Sequence, residues 1–183
     1  MKKLFIPFTA LLLVFAGVSS CKKIVSSIFG GTDVTIPPVN VTVPAILAVT
    51  ANEQSFGSYT QQINLDSTVR ANTAGVFGIN AVSTIKIKQV TISISNADAL
   101  NNLSNFENAR VTLNSNSNPA TADLFTITFP DQNTATYTFT PSTSTELLPY
   151  LKGNSITYTV YGKNRRITSK PLQMQVSVIL RAN

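Results

Sequence analysis

Regular alternation of apolar and polar residues is the feature that most constrains the fold of this chain. In residues 172–181, every second residue from Leu172 to Leu180 is apolar, and the residues between them are polar except Ile179. Residues two apart lie on the same face of a strand. The pattern therefore predicts a strand with one buried face and one solvent face.

The same alternation, rich in β-branched and aromatic residues, recurs along the chain and predicts further strands. They are expected near residues 39–43, 45–51, 56–65, 85–95, 109–114, 124–129, 134–140, 155–161 and 172–181. Between Ile85 and Ile94 the apolar residues change parity. A β-bulge near Lys88 and Gln89 would return them to one face.

Helical signals are few: a turn capped by Asp66, a turn opened by Thr145 and Glu146, and a third at residues 100–106. Short strands joined by polar turns predict an all-β fold, an antiparallel β-sandwich of about seven to nine strands with one to three short helical turns. Its topology is either immunoglobulin-like or jelly-roll. The cysteine pair and core tryptophan typical of immunoglobulin domains are absent from the sequence.

The N-terminus combines two lysines, an apolar run over residues 4–17 and small residues before Cys21. These are the parts of an export signal, and the run is shorter than the roughly 20 residues that span a bilayer. Val18-Ser19-Ser20-Cys21 resembles the lipobox of bacterial lipoproteins. That resemblance implies cleavage after residue 20, lipid modification of Cys21, and attachment to a membrane through the N-terminal lipid.

Cys21 is the only cysteine in the chain, so no disulfide can form within one molecule. We expect a signal peptide over residues 1–20, a flexible tether over residues 21–38 and a single β-sandwich domain over residues 39–183. Removal of Lys2 and Lys3 lowers the formal charge from +6 to +4. The remaining basic residues are scattered, which argues against a nucleic-acid partner.

Two longer stretches resemble uncharacterised small envelope lipoproteins of Gram-negative bacteria. They are residues 63–107, with a capped turn, an amphipathic strand and an asparagine-rich loop, and the run ELLPYLKGNSITYTVYG at residues 146–162. The resemblance implies fold and location but no functional residues. Residue 22 is not the aspartate that resembles an inner-membrane retention signal, which favours the outer membrane. A domain facing the periplasm is preferred over surface exposure, which stays open.

The chain contains no histidine. Histidine is the most frequent general base and a frequent metal ligand, so hydrolase triads and zinc sites are excluded. No cofactor and no metal site is predicted. The oxygen-rich run 96–108 makes Asp98 and Glu107 weak calcium candidates, although Leu100 and Asn101 stand where an EF-hand needs a ligand and a glycine.

Two surface patterns suggest ligands. Threonines at every second position over residues 134–140 resemble the flat faces of ice-binding β proteins, although threonine also suits the solvent side of any sheet. Tyr161, with Arg165 and Arg166 after it, could form a glycan-binding face, because aromatic rings stack on sugars.

Three hypotheses follow. The preferred one is a non-catalytic, lipid-anchored module of the cell envelope that binds another envelope protein or a polysaccharide, or serves a structural role. The second is a glycan-binding accessory lipoprotein, and the third is a histidine-free envelope enzyme.

Overall fold

The computed structural model describes residues 30–142 and 145–183. Within these residues the chain forms eight strands, two short α-helices and two 3₁₀ helices. The strands are β1 (Thr32–Val43), β2 (Gln54–Gln62), β3 (Ile85–Ile94), β4 (Phe106–Ser115), β5 (Ala122–Thr128), β6 (Thr136–Phe139), β7 (Ser155–Asn164) and β8 (Leu172–Ala182). The α-helices are α1 (Leu65–Asn72) and α2 (Leu148–Leu151), and the 3₁₀ helices are Ile79–Ala81 and Leu103–Asn105.

The strands form two antiparallel sheets of four that pack face to face. Sheet I has the order β1-β8-β3-β6 and sheet II has the order β2-β7-β4-β5. Strand pairing is nested along the chain, because β1 pairs with β8, β2 with β7, β3 with β6 and β4 with β5. Two four-stranded sheets wound in this way make a jelly roll. The predicted β-sandwich is confirmed, and the strand order selects the jelly-roll alternative.

The core lies between the two sheets and follows the alternation seen in the sequence. In β8 every second side chain from Leu172 to Leu180 is buried, and in β7 Ile156, Tyr158 and Val160 point inward. The predicted bulge in β3 is also confirmed, because the register against β8 shifts between Ile87 and Gln89. Aromatic contacts close the side of the core where β5 and β6 lie. The rings of Phe125 and Phe139 pack edge to face there, with their centroids 5.4 Å apart.

Two predictions near the N-terminus were wrong. β1 begins at Thr32, so residues 32–38 are part of a strand and not of a flexible tether. Its pairing with β8 extends from Thr32 opposite Ala182 to Val43 opposite Leu172, with a register shift at the Pro37-Pro38 pair. Residues 45–51 form a loop and not a strand. The proposed signal peptide and Cys21 lie outside the described residues.

Short helical turns occur in all three predicted regions. α1 is capped by Asn64, whose side chain accepts a hydrogen bond from the Ser67 amide at 2.9 Å, whereas Asp66 was the predicted cap. Asp66 instead accepts hydrogen bonds from Arg70 and from the Ile79 amide, which joins the helix to the following turn. Across the described parts of the chain, no helix has the length and apolar character needed to cross a membrane.

Candidate functional site

Four loops meet at one end of the sandwich, and we call this the loop end. They connect β1 to β2 (residues 44–53), β3 to β4 (residues 95–105), β5 to β6 (residues 129–135) and β7 to β8 (residues 165–171). Strand register brings them together, because Val43 pairs with Leu172 and Ile94 with Met174. The opposite end, which we call the termini end, holds the start of β1 and the end of β8.

Buried asparagines hold the loop end together. The Asn105 side chain donates to the carbonyl oxygens of Leu100 at 3.0 Å and Ile167 at 2.8 Å, and it accepts from the Asn102 amide at 2.9 Å. Asn102 in turn accepts from the Ser104 amide, which completes a capping box around the second 3₁₀ helix. Because buried backbone groups need partners, these amide side chains replace the hydrogen bonds that a sheet would supply.

Further hydrogen bonds tie the remaining loops to this cluster. The Asn105 carbonyl accepts from the amides of Arg165 and Arg166. The Thr168 amide donates to the Ile46 carbonyl, and the Ile46 amide donates to the Thr168 hydroxyl, each at 2.9 Å. Asn164 donates to the Ala48 carbonyl at 3.1 Å. Residues 45–51 are therefore held as a loop by contacts with residues more than a hundred positions away.

Charges at the loop end are paired among themselves. Asp131 contacts Arg166 at 2.6 Å and Arg165 at 3.7 Å. Asp98 contacts Lys170 at 2.6 Å and also accepts hydrogen bonds from the Leu100 and Asn101 amides. The Lys170 hydrogen bond, followed by that of the Asn101 side chain, lowers the pKa of Asp98 far below its ordinary value.

Large aliphatic side chains project from the loop end into solvent. Leu47 is 84% exposed and Leu100 is 77% exposed, and Val49 and Ile167 are each 57% exposed. Among the described residues one further large apolar side chain, Val76, is exposed to a similar degree, at 70%, and it follows α1. The loop end thus combines a fixed backbone with an aliphatic tip.

The three predicted glycan-binding residues have different partners. Tyr161 lies on the outer face of sheet II, where the Arg110 guanidinium stacks on its ring at 4.3 Å from the centroid. Arg165 and Arg166 belong to the loop end and bind Asp131. Ligand binding by these three residues stays a prediction.

The two weak calcium candidates, Asp98 and Glu107, are bound by different lysines. Asp98 is held by Lys170, and Glu107 pairs with Lys163 at 2.9 Å across β4 and β7. In the described ranges no group of three or more acidic, histidine or cysteine side chains is arranged for a metal ion. The side chains of Asn102 and Asn105 bind backbone groups, which a sequence pattern of oxygen-bearing side chains could not distinguish from metal ligation.

Every acidic side chain in the chain has a partner. Seven of the eight form ion pairs with lysine or arginine, and Glu146 accepts from the Ile85 and Leu148 amides. The acids in ion pairs are Asp33, Glu53, Asp66, Asp98, Glu107, Asp123 and Asp131. Glu53 and Asp123 both bind the Arg110 guanidinium, so neither is a free carboxyl group of the kind that a glycosidase places beside a sugar.

Outside the loop end, the described residues line cavities of about 20, 170 and 420 Å³. An apolar void of about 20 Å³ lies between the sheets beside Pro37, Phe125 and Val178, which is close to the space of one water molecule. A depression of about 420 Å³ lies beside Asp66 and Lys152 near the start of α1. Asp66 is bound there to Arg70 and to the Ile79 amide. Lys152 also lines this depression and takes part in none of the ion pairs of the described residues.

The fold and the loop end define an eight-stranded jelly-roll domain with hydrogen-bonded loops and aliphatic tips. No protein-family model matches the chain, and no curated protein matches it. The decameric BFDV capsid protein is similar at 8% identity and a TM-score of 0.32, over 84% of this chain and 98% of that chain. The extra small virus particle of the prawn Macrobrachium rosenbergii is similar at 13% identity and a TM-score of 0.19, over 85% and 80%. The jelly-roll assignment rests on strand order and not on these scores.

Proposed function

We propose that the protein is a lipid-anchored, non-catalytic binding module of the bacterial cell envelope, and that its loop end binds another envelope protein. One observation supports binding through the loop end. Four of the five large exposed apolar side chains of the described residues lie on loops at the end of the domain opposite the entry of the chain. The anchor itself rests on the lipobox resemblance at Cys21.

The energetics of the aliphatic tip support a protein-binding role. Clustered exposed apolar side chains mark interaction surfaces in soluble domains. Transfer of one such side chain from water to a buried site contributes roughly 1.5–3 kcal/mol. Leu47, Val49, Leu100 and Ile167 together can therefore provide several kcal/mol toward association, part of which offsets the entropy lost on binding.

The chemistry of the loops favours a protein over a glycan or a polyanion. The four loops contain a single aromatic residue, Phe129, and it is buried. Exposed rings for stacking on sugars are therefore missing from the loop end. Arg165, Arg166 and Lys170 of the β7–β8 loop form ion pairs with aspartates of two neighbouring loops. No free cluster of positive charge at the loop end is therefore directed at a polyanion.

The absence of histidine and the pairing of all eight acids support a non-catalytic role. General acid–base catalysis requires a titratable group within hydrogen-bond reach of the substrate. Each carboxylate of this chain is instead bound to a cation or to backbone amides of its own fold.

Photo-crosslinking in intact cells tests the proposal. A photo-reactive amino acid replaces Leu47 or Leu100 in the full-length chain, and Val76 serves as the control because its exposure is similar and it lies after α1. We expect the two loop positions to form an adduct with one protein partner and Val76 to form none. Ile167→Asp in the same chain should remove the adduct from Leu100, because a charge would enter the apolar contact.

The competing results are distinct. Equal adducts from Val76 and Leu100, or an adduct that survives Ile167→Asp, would contradict binding through the loop end. An adduct whose added mass is removed by glycosidases, and stays on the labelled peptide after proteolysis, would identify a polysaccharide and would favour the glycan-binding hypothesis.

A further inference from the structure

We propose that the protein also associates with itself through β2, which pairs in antiparallel orientation with β2 of a second copy. Each sheet has two edge strands, β1 and β6 in sheet I and β2 and β5 in sheet II. An edge strand presents backbone N–H and C=O groups to solvent and can accept a further strand. The four edges differ in how well they are protected from such pairing.

Three of the edges carry features that oppose strand addition. β1 contains the Pro37-Pro38 pair and a register shift between Ile36 and Val39. Proline lacks the N–H needed for a ladder. β6 has four residues, and β5 carries Asp123, whose side chain is 65% exposed. Short length, charge and proline are the usual protections of sheet edges.

β2 is longer than β6 and lacks the charge and proline of the other edges, and its register shift is confined to its first residues. Its nine residues, QSFGSYTQQ, include no charged residue and no proline. The register against β7 shifts once, between Ser55 and Gly57, and is then regular from Ser58 opposite Thr159 to Gln62 opposite Ser155. A straight, uncharged segment of five residues is thus available at this edge.

A second copy is the partner that best fits this strand. A two-fold axis through an antiparallel pair places β2 opposite itself, and like charges directly opposite each other would destabilise the pair. β2 contributes no such charges, and the nearby Glu53 is held by Arg110. On the outer face, Ser58 and Thr60 hydrogen-bond to Thr159 and Thr157 at 2.8 and 2.9 Å. A second β2 offers the same hydroxyls, so these cross-strand rows can continue across the axis.

The two-fold axis also determines how the copies are arranged. The loop ends of the two domains point in opposite directions, because the paired strands are antiparallel. β7 and β3 have ten residues each, which corresponds to a domain length of about 33 Å along the strands. Residues 22–31 can reach at most about 35 Å. Both copies can therefore attach to one membrane through their N-termini.

Disulfide trapping of the full-length chain in cell membranes tests this pairing. Each residue of the regular segment from Ser58 to Gln62 is replaced in turn by cysteine and the membranes are oxidised, with the unsubstituted chain as the background control for Cys21. Only the residue on the axis faces its own copy at about 5 Å between Cα atoms, within the disulfide range. A residue two positions away is about 14 Å from its copy. We expect dimer yield to peak at one position and to fall at least fivefold at its neighbours.

Two sets of variants make the result decisive. Thr126→Cys on β5 and Thr138→Cys on β6 are exposed on other edges and should give only background yield. Once trapping has identified the residue on the axis, lysine at that residue in the chain without an added cysteine places two like charges directly opposite each other. It should lower the dimer fraction found by chemical crosslinking in membranes at least fivefold, whereas glutamine at the same residue should preserve that fraction. Trapping yields that are equal at all positions, or that do not exceed background, would overturn the proposal, as would a dimer fraction that is insensitive to the lysine. None of these outcomes depends on what the loop end binds.

Discussion

The two ends of the sandwich differ in what holds them together and in what they expose. At the termini end, the strand pairing extends from the first residue of β1 to the last residue of β8. Asp33 forms ion pairs with both Lys88 and Arg181 at the surface there. At the loop end, buried asparagines bind the backbone of four loops. Side-chain hydrogen bonds can thus hold the backbone of a loop surface in place without regular secondary structure. Amide side chains inside the loops satisfy the backbone, and the aliphatic tips stay free for a partner.

The largest expected effect concerns the attachment of the termini end to the membrane. Cys21→Ser should abolish acylation and leave an unlipidated or uncleaved precursor, because serine has no thiol to accept the lipid. Metabolic labelling with palmitate and the mass of the chain provide the measurement. Ser27→Cys added to this variant moves the thiol six positions away and should not restore labelling. Normal acylation of either variant would disprove the anchor.

Removal of a buried amide should affect the loop end more than removal of a helix cap affects the region of α1. Asn105→Ala leaves the Leu100 and Ile167 carbonyls and the Asn102 amide without partners, at about 3 kcal/mol of unfolding free energy. Asn64→Ala removes one capping hydrogen bond and should cost about 1 kcal/mol. Urea denaturation of the two variants measures the difference. Equal losses would show that the asparagine cluster is not the dominant stabilising feature of the loop end.

Alkaline pH tests the core between the two ends. Burial raises the pKa of Tyr158 to about 12 from the ordinary value of 10.0. The unfolded chain therefore releases this proton first, and stability should be unaffected below pH 10 and fall by about 2 kcal/mol between pH 10 and 12. Tyr158→Phe should remove that part of the pH dependence. Denaturation at pH 9 and 11.5 compares the two proteins, and an identical loss in both would exclude Tyr158 as the cause.

The smallest expected effect concerns the ion pair of the loop end in acid. The Lys170 hydrogen bond is the first cause of the lowered pKa of Asp98, and Arg70 is the first cause for Asp66 at the start of α1. Because the folded-state pKa is lowered, the stabilisation is present above the unfolded pKa and is lost as the pH falls through the folded value. Lys170→Gln should raise the pKa of Asp98 and leave that of Asp66 unchanged. Carboxyl chemical shifts followed by NMR between pH 5 and 2 provide the measurement, and a shift of both residues would indicate a general change in structure.

Much of the fold follows from the alternation in the sequence. Strands β2 to β8 were all predicted within a few residues, and the parity change in β3 located its bulge at Lys88. The loop at residues 45–51 was mistaken for a strand because it is an apolar run that contains three β-branched residues, Ile46, Val49 and Thr50. In the structure Ile46 packs on the core, while Leu47 and Val49 point to solvent.

The candidate site was less accessible from sequence. Arg165 and Arg166 were identified as unusual, but their partner Asp131 is more than thirty positions away. The asparagines of residues 96–108 were recognised as a cluster, yet the partners of Asn105 are the backbone carbonyls of Leu100 in the same loop and of Ile167 in another loop. The signal that could have revealed the loop end was the set of large apolar residues, Leu47, Val49, Leu100 and Ile167, outside the segments of alternating pattern.

Local pattern alone was sufficient for the all-β class, the inward faces of the strands and the bulge, because a strand places residues on its two faces with a period of two. The choice of jelly roll over immunoglobulin topology required the pairing of strands that are distant in sequence, such as Val43 with Leu172. The loop end required the same long-range register, since it exists only where four separate loops meet. Contacts of this kind depend on how the whole chain packs, and no local window of sequence contains them.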